Sequence, residues 1–559
     1  RRQHRVQKRR VGLATLALAG SSGSTGGMAI DVNGPVTLSR GASLLALNGS
    51  EQAAAPLHLQ AGSLAIDGGG QATVVGSAAR GSGRAGDVTV QVQGALRVAD
   101  GGLLRSESAS AGGTGTLSVS AGSIALSGGQ LQLPTGIGSS AYAGPAGGIA
   151  VRAAGDVDVR SGAGISSYSV GAADAAPLTL DVGRLNVEGR GADGYGSSVV
   201  AMAAGSGRGA ALTLRASDSV RVGPQGAVST TTLDSGAAGT LSVSAPRVEV
   251  IGNGADSTTI ESLSGGSLAG RGGDVRIDAG QLTVSHGGSI ATDSYSSVGR
   301  AGDLVVTADQ VLVDGGGRAT ALRSLAFGER GDAGAVQVTA RQGLTLRAGG
   351  SLAVMSLGQG RPGSIAVQAG TLLIDGTGAS DTVTGIGGDA IVDGAAGPVS
   401  VQAQRIDIRE GGKISSGTLS NQDGGSVQVL ADSLRIDGGS GLSLTGIMSD
   451  STVGRGNAGS VSVRARQIEM LADGQISSAA IDINGSLDGP ARGGQVSVHA
   501  DTLAMASRSG IYSLAGTAGG AGNVDITVTG ALSLTGGAGI VANTGGVGPA
   551  GTVTVRSGS

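Results

Sequence analysis

A pattern of alternating apolar residues recurs about every 30 residues, and it constrains the fold more than any other feature of the chain. In residues 459–478 it reads GSVSVRARQIEMLADGQISS, which contains three short alternating segments. The first segment begins at Val36 in the first copy and at Val553 in the last, and all eighteen copies have Val, Leu or Ile at its first and third positions. Such alternation is typical of β-strands with one buried face.

The glycine-rich segments between these strands indicate how the copies are joined. The second strand is often followed by Asp-Gly-Gly, as at residues 67–69 and 314–316, where glycine supplies positive φ. A weaker third strand follows, for example at Ile165 or Ile290. Three short strands and three corners per unit predict an all-β parallel β-helix of about 17 coils, because stacked copies can bury a face that one copy cannot.

The spacing of the copies carries a second period. From Val88 onward, short coils of about 29 residues alternate with long coils of about 32 to 34, so the full module has about 62 residues. The extra residues follow the second strand, as in 188–209, 251–272 and 375–397. We therefore expect irregular first rungs over 30–87, regular rungs over 88–559, and long loops protruding from one edge.

Composition narrows the function classes. The chain has 109 glycines in 559 residues, no cysteine, no tryptophan and a net charge of −3. Absence of cysteine excludes disulfides and thiolate metal sites, and the four scattered histidines have no zinc-like spacing. A mildly acidic body gives nucleic-acid binding no electrostatic support. No cofactor motif is present, since the glycine-rich stretches lack a phosphate-loop context.

The N-terminal segment, residues 1–29, has a different character. Six of its first ten residues are Arg or Lys, and the apolar run Val11–Ala19 follows. A basic region followed by a short apolar region is the pattern of a secretory signal, and a disordered basic tail is the alternative.

The unit Ala-Gly-x-Val-x-Val-x-Ala…Leu-x-Ile-x-x-Gly-Gly…Ile-x-Ser resembles the repeats of filamentous-haemagglutinin-type exoproteins of two-partner secretion. Good copies lie at 301–313, 333–346 and 458–478, and the resemblance covers roughly residues 30–559. It implies a right-handed parallel β-helix, export through a partner barrel in the outer membrane, and a filamentous adhesin at the surface of a Gram-negative bacterium. The Asn-Pro motifs of the family's secretion domain are missing from this sequence.

These observations favour an adhesin-like structural protein that displays repeated loops for multivalent attachment to a host-cell receptor or surface glycan. A polysaccharide-active β-helix enzyme is the alternative, as is a passive stalk for an effector domain. An enzyme requires clustered carboxylates or a basic residue on one wall, and the sequence shows no such cluster, so we predict no catalytic residues.

Two features are candidate binding elements. Arg330, Gly331 and Asp332 form an Arg-Gly-Asp tripeptide in the loop of a long coil, and such a tripeptide can bind integrin-type receptors. The aromatic residues fall in the third segment or closing loop, where rings can form a sugar- or protein-binding platform. The candidate platform residues are Tyr142, Tyr195, Tyr295, Phe327 and Tyr512. The alternative is that a tight rod has no interior room for rings.

Overall fold

The computed structural model describes residues 12–129, 133–266, 270–379, 382–392, 394–439, 443–453, 455–482 and 489–559. The chain divides into two compact units, residues 1–246 and 247–559. In each unit, parallel strands of successive turns pair to form two sheets, one of long and one of short strands. The predicted parallel β-solenoid is thereby confirmed, with about 18 turns in the chain.

The first unit contains the following strands: β1 Gly12–Ala17, β2 Met28–Ser39, β3 Ser43–Asn48, β4 Leu57–Asp67, β5 Thr73–Ala79, β6 Val88–Val92, β7 Ala95–Ala99, β8 Gly102–Ser108, β9 Leu117–Ala121, β10 Ser123–Ser127, β11 Gly136–Ala141, β12 Ile149–Arg160, β13 Gly164–Ser169, β14 Leu178–Glu188, β15 Ser197–Ala203, β16 Leu212–Val222 and β17 Gly226–Thr232. Strand β18, Leu241–Ile251, contains the division between the units.

The second unit contains the remaining strands: β19 Thr259–Ser264, β20 Val275–Ser285, β21 Ser289–Ser294, β22 Leu304–Asp314, β23 Thr320–Ala326, β24 Val336–Arg347, β25 Gly350–Ser356, β26 Ile365–Asp375, β27 Thr384–Gly387, β28 Val399–Arg409, β29 Gly412–Ser415, β30 Val427–Asp437, β31 Gly446–Met448, β32 Val461–Leu471, β33 Gln475–Ala480, β34 Val496–Met505, β35 Gly510–Ala515, β36 Val524–Val528, β37 Leu532–Leu534, β38 Gly539–Thr544 and β39 Val553–Ser557.

Most turns have two strands rather than the three expected from the sequence. The predicted first and second strands are one continuous strand of about 11 residues, such as β14 or β22. A register shift marks the bend within several of them, as after Val182 in β14. The two remain separate only in a few turns of the described chain, for example β9 and β10.

The core is a set of aliphatic columns. In β14 the side chains of Leu178, Leu180, Leu185 and Val187 are almost completely buried, and the alternating positions face outward. Each lies beside its counterpart in the next turn, as Leu178 does with Leu212. Burying one such side chain contributes about 1.5–3 kcal/mol, which a single isolated turn could not gain.

The first turn departs from the sequence prediction. Val36 pairs with Leu64, in the second half of β4, whereas Met28 pairs with Leu57 at the start of β4. The first strand of this turn therefore begins at Met28, and the assignment of Val36 as its start was wrong. The alternation of Val36 and Leu38 belongs to the second predicted strand, which has the same period of two.

Of the signal-like segment, residues 1–11 lie outside the described part of the chain. Residues Gly12–Ala17 form β1, which pairs in parallel with β3. Among the described residues, we find no helix that meets the length and apolarity needed to cross a bilayer.

Two of the long loops pack against neighbouring turns. In the first unit, a side chain at Gly162, in the turn after β12, would collide with Gly191 and approach the Tyr195 carbonyl. In the second unit, the Arg318 guanidinium donates a hydrogen bond of 3.2 Å to the carbonyl of Gly254, 64 residues away. At these two places the expectation of separately protruding loops was wrong, because the loops pack against neighbouring turns.

Candidate functional site

The short strands present one row of side chains inward and one outward, and the inward row contains buried hydroxyls. Ser106 accepts a 3.0 Å hydrogen bond from the N–H of Gly115, and Ser324 accepts one of 2.8 Å from Gly334. Gly115 follows Thr114 and Gly334 follows Ala333, and each glycine lies two residues before the first long-sheet strand of the next turn. Each hydroxyl therefore ties the closing loop to the short strand, which fixes the outer face on which exposed side chains lie.

Charged residues on the outer face of the long strands pair between turns. Asp156 on β12 accepts hydrogen bonds from the Arg184 guanidinium on β14, at 2.7 and 2.9 Å, and these bonds hold the pKa of its carboxyl below the usual value. His58 and His499 also lie on this face and are exposed, as the sequence predicted. The Asp156 and Arg184 charges are thus partnered within the fold.

In the first unit, the outer face of the short-strand sheet contains an open groove of about 970 Å³. Its floor consists of residues with little or no side chain, on β11, β13 and β15: Gly136, Gly138, Gly164, Ser166 and Ser198. Larger side chains stand at both sides, because Arg105 on β8 pairs with Gly138 and Val200 on β15 pairs with Ser166. The groove is a depression between bulkier turns.

Two of the predicted platform residues line this groove. Tyr142 follows the end of β11 and is 49% exposed, whereas Tyr195 precedes the start of β15 and is 75% exposed. The Tyr195 backbone is fixed, because its N–H donates to the Asp193 carboxylate at 3.0 Å and its carbonyl accepts from Gly191 at 2.9 Å. The two rings therefore stand near opposite ends of the floor strands, Tyr142 after β11 and Tyr195 before β15.

One side of the groove carries a group of charges. The Arg105 guanidinium lies 2.6 Å from the Glu107 carboxylate, and Arg80 approaches the same carboxylate at 3.4 Å. The Nε of Arg105 is buried and has no hydrogen-bond partner. The side chain as a whole is 33% exposed, so an incoming acceptor can reach the guanidinium through its exposed part rather than through Nε.

In the second unit, Tyr295 and Phe327 are stacked on adjacent turns. Their ring centroids are 4.4 Å apart and the ring planes differ by 5°. Tyr295 remains 50% exposed. The structure thus brings these two predicted residues together, whereas Tyr512 lies elsewhere, half-buried on β35 with its ring over Gly510.

Beside this stack lies a group of ionisable residues that the sequence did not reveal. Glu261, Asp293 and Arg323 project from β19, β21 and β23, and Arg323 binds the Asp293 carboxylate at 2.8 and 3.2 Å. Burial and, to a smaller extent, the nearby Asp293 carboxylate together raise the pKa of Glu261 to about 7. Burial also raises the pKa of Asp293, and its bond to Arg323 opposes that rise.

The sequence missed this group because its members are about 30 residues apart and lie on the weakly patterned third strand. Only the register shows that Glu261 is level with Ala291, which in turn is level with Arg323. The expectation that no acidic residues cluster on adjacent turns was therefore wrong. Alignment of the third strands of successive copies, with the charged residues at outward positions marked, would have shown that these three residues are neighbours.

The Arg-Gly-Asp tripeptide is part of a packed turn. Gly331 is buried, and its carbonyl accepts a 2.8 Å hydrogen bond from Ser356. Oδ1 of Asp332 accepts a 2.6 Å hydrogen bond from the backbone N–H of Arg361 in the next turn. Arg330 is exposed. One of the two Asp332 carboxylate oxygens is thus already hydrogen-bonded within the fold.

Groups of three or more His, Cys, Asp or Glu residues able to hold a metal ion do not occur in the described ranges. Comparisons with protein-family models, curated proteins and solved structures give no match to this chain. Its function therefore has to be argued from the geometry described above.

Proposed function

We propose that the chain is a secreted or cell-surface adhesin-like structural protein that attaches through the outer face of its short-strand sheets. The observation that carries this proposal is a repeated exposed aromatic residue. Tyr142 lies five residues after the buried Ile137, and Tyr295 lies five residues after the buried Ile290. The same kind of contact residue thus occupies the same position of the turn in both units.

Repetition of a weak contact element supports attachment rather than solution binding. Each ring alone contributes little, but linked elements that engage one surface together gain affinity through their effective concentration. A ring held on hydrogen-bonded backbone, as Tyr295 is by the Ser264 carbonyl at 2.7 Å, also loses little conformational freedom on binding.

The sequence resemblance extends this proposal to export and location. In this proposal the protein passes through an outer-membrane transporter barrel, remains at the surface of a Gram-negative bacterium, and attaches to a host-cell receptor or surface glycan. Proteolytic accessibility of the chain on intact cells, with and without the barrel partner, tests this part.

Attachment of beads coated with the purified chain to cultured epithelial cells tests the main proposal. We expect the double variant Tyr142→Ala/Tyr295→Ala to lower the number of attached beads under flow, while His58→Ala/His499→Ala on the long-strand face leaves it unchanged. Equal attachment by both double variants and the parent chain would contradict the proposal. Circular dichroism of each variant checks that the fold is kept.

The receptor role of residues 330–332 is a separate hypothesis with its own test. Asp332→Glu moves the carboxylate by one methylene group but keeps its charge. Loss of attachment to integrin-bearing cells in this variant, without loss of attachment to cells lacking integrins, would support it. Unchanged attachment of the variant to both kinds of cell would refute the receptor hypothesis.

A polysaccharide-active enzyme is the second candidate, and the Glu261–Asp293 pair favours it. A carboxyl group with a pKa near 7 beside a second carboxyl group is the arrangement that general acid catalysis of glycoside cleavage uses. Release of reducing ends from a polysaccharide panel by the parent chain, and its loss in Glu261→Gln, would establish this activity. Absence of release by the parent chain on the panel would count against it.

A further inference from the structure

The groove in the first unit lies over a short coil between two long coils. Its floor strand β13 belongs to the coil that begins at Ile149, and its walls include Thr135 and Tyr195 from the loops of the flanking long coils. The lining reaches from Leu103 on β8 to Ser229 on β17. Four steps between paired strands span about 19 Å, so the groove suits an extended ligand.

The floor of the groove contains a glycine, Gly164, at a position where the backbone does not require one. Gly164 has no positive φ, and a Cβ atom there would meet only two Ser198 oxygens, both at 3.4 Å. Leu103 occupies the corresponding position two turns earlier, so this row accepts a large side chain. Glycine at this position leaves space above the sheet that the fold itself does not need.

The polar groups around this space point to a ligand rich in hydroxyls and without net charge. Ser140, Ser166 and Ser198 present hydroxyls on the floor. The charges of Arg105 and Glu107 are paired with each other, and the Asp193 carboxylate, which also lines the groove, accepts the N–H of Tyr195. Hydroxyl groups of a ligand can accept hydrogen bonds from the exposed part of the Arg105 guanidinium and can bond the serine hydroxyls.

The two tyrosines add apolar ring faces to the polar groups of the groove. Tyr142 and Tyr195 stand near the two ends of the floor strands, and both keep about half or more of their surface exposed. An aromatic face packs against the C–H face of a sugar ring, while the phenol oxygen remains free for hydrogen bonding. Few other ligands combine apolar faces with hydroxyls along an extended length.

We propose that this groove binds a neutral oligosaccharide chain, with Tyr142 and Tyr195 packing on sugar rings, Ser166 and Ser198 as hydrogen-bonding floor residues, and Arg105 as a donor. The proposal rests on the attachment function and names the ligand class for one of its surfaces. It concerns a different surface from the acidic group of the second unit.

Tyrosine emission provides a direct titration, because the chain has five tyrosines and no tryptophan. The probes are cello-, malto-, manno- and galacto-oligosaccharides, with a sialylated oligosaccharide and an oligogalacturonate as charged comparisons. We expect at least one neutral probe to change the emission saturably. Tyr195→Ala should weaken binding about tenfold, and Tyr195→Phe should retain most of it.

Ser166→Leu fills the floor with an apolar side chain at a position whose neighbour in the next turn is Val200. It should abolish binding with an unchanged melting temperature, while the matched outward variant Ala321→Leu in the second unit should have no effect. If no neutral probe binds the parent chain, or if folded Ser166→Leu binds as tightly as the parent, the proposal is overturned. Binding of charged probes alone would overturn it as well.

Bead attachment with the same variants separates this proposal from the attachment function. Attachment by the parent chain without oligosaccharide binding would overturn the groove proposal and leave attachment standing. Oligosaccharide binding without bead attachment would support the groove and contradict attachment. Binding with attachment that Ser166→Leu reduces would support both.

Discussion

The buried carboxyl group of Glu261 predicts that part of the second unit becomes easier to open as pH rises from about 4.5 to about 7. Its pKa is about 7 in the folded chain against an ordinary 4.5, because burial disfavours the ionised form. Between these values the folded chain holds a proton that the opened chain releases. The contribution of this group to stability is therefore fully present below about 4.5 and lost by about 7.

The size of the effect follows from the pKa difference. A shift from 4.5 to about 7 corresponds to about 3 kcal/mol of opening free energy over the whole titration, or roughly a three-hundredfold change in the population of the open state. Asp293 changes in the same direction because burial raises its pKa too, while its bond to Arg323 opposes that rise.

Hydrogen-exchange mass spectrometry on peptides that cover β19 and β21 measures this opening locally. After correction for the intrinsic pH dependence of exchange, we expect protection to fall by up to about a hundredfold between pH 4.5 and 7.5. Glu261→Gln should flatten this dependence, whereas Glu329→Gln at an exposed position should not. Protection independent of pH in the parent chain, or an unchanged slope in Glu261→Gln, would refute the reasoning.

Two further predictions concern the turns. Ser324→Ala removes the hydroxyl that accepts from Gly334, so it should lower the free energy of unfolding by about 1–3 kcal/mol in denaturant titrations, whereas Ser166→Ala, at an outward position, should change it by less than about 0.5 kcal/mol. Equal effects of the two would show that the inward hydroxyls are not structural. Gly315→Ala should lower the melting temperature by several degrees, because a Cβ there would lie 2.2 Å from two carbonyl oxygens, while Gly164→Ala should leave it nearly unchanged. An unchanged melting temperature in Gly315→Ala would contradict the close packing around Gly315.

The sequence predicted the solenoid because its alternation repeats with little variation over the whole chain. In the second unit, Val275 and Leu304 are aligned in the sequence pattern and are paired in the sheet. The prediction failed at the first turn because both halves of a long strand have the same period of two. Val36 and Leu38 therefore fit either half, and only their pairing with β4 shows that they belong to the second.

The candidate sites were less predictable, because they depend on which residues become neighbours between turns. Tyr142 and Tyr195 could be chosen as loop aromatics, but the glycine floor that separates them emerges only when β11, β13 and β15 are placed in register. The buried serines were overlooked for a related reason. Serine is so common in this chain that its recurrence on the third strand, as at Ser106 and Ser324, does not stand out without burial.

Hydroxyl-radical footprinting of the chain bound to its target surface tests most directly whether the outer face of the short strands is the attachment surface. Tyr142, Tyr195 and Tyr295 report on that face, and His58 and His499 report on the long-strand face. We predict that attachment lowers labelling of the three tyrosines and leaves labelling of the two histidines unchanged. Protection of the histidines with unchanged labelling of the tyrosines would contradict the account.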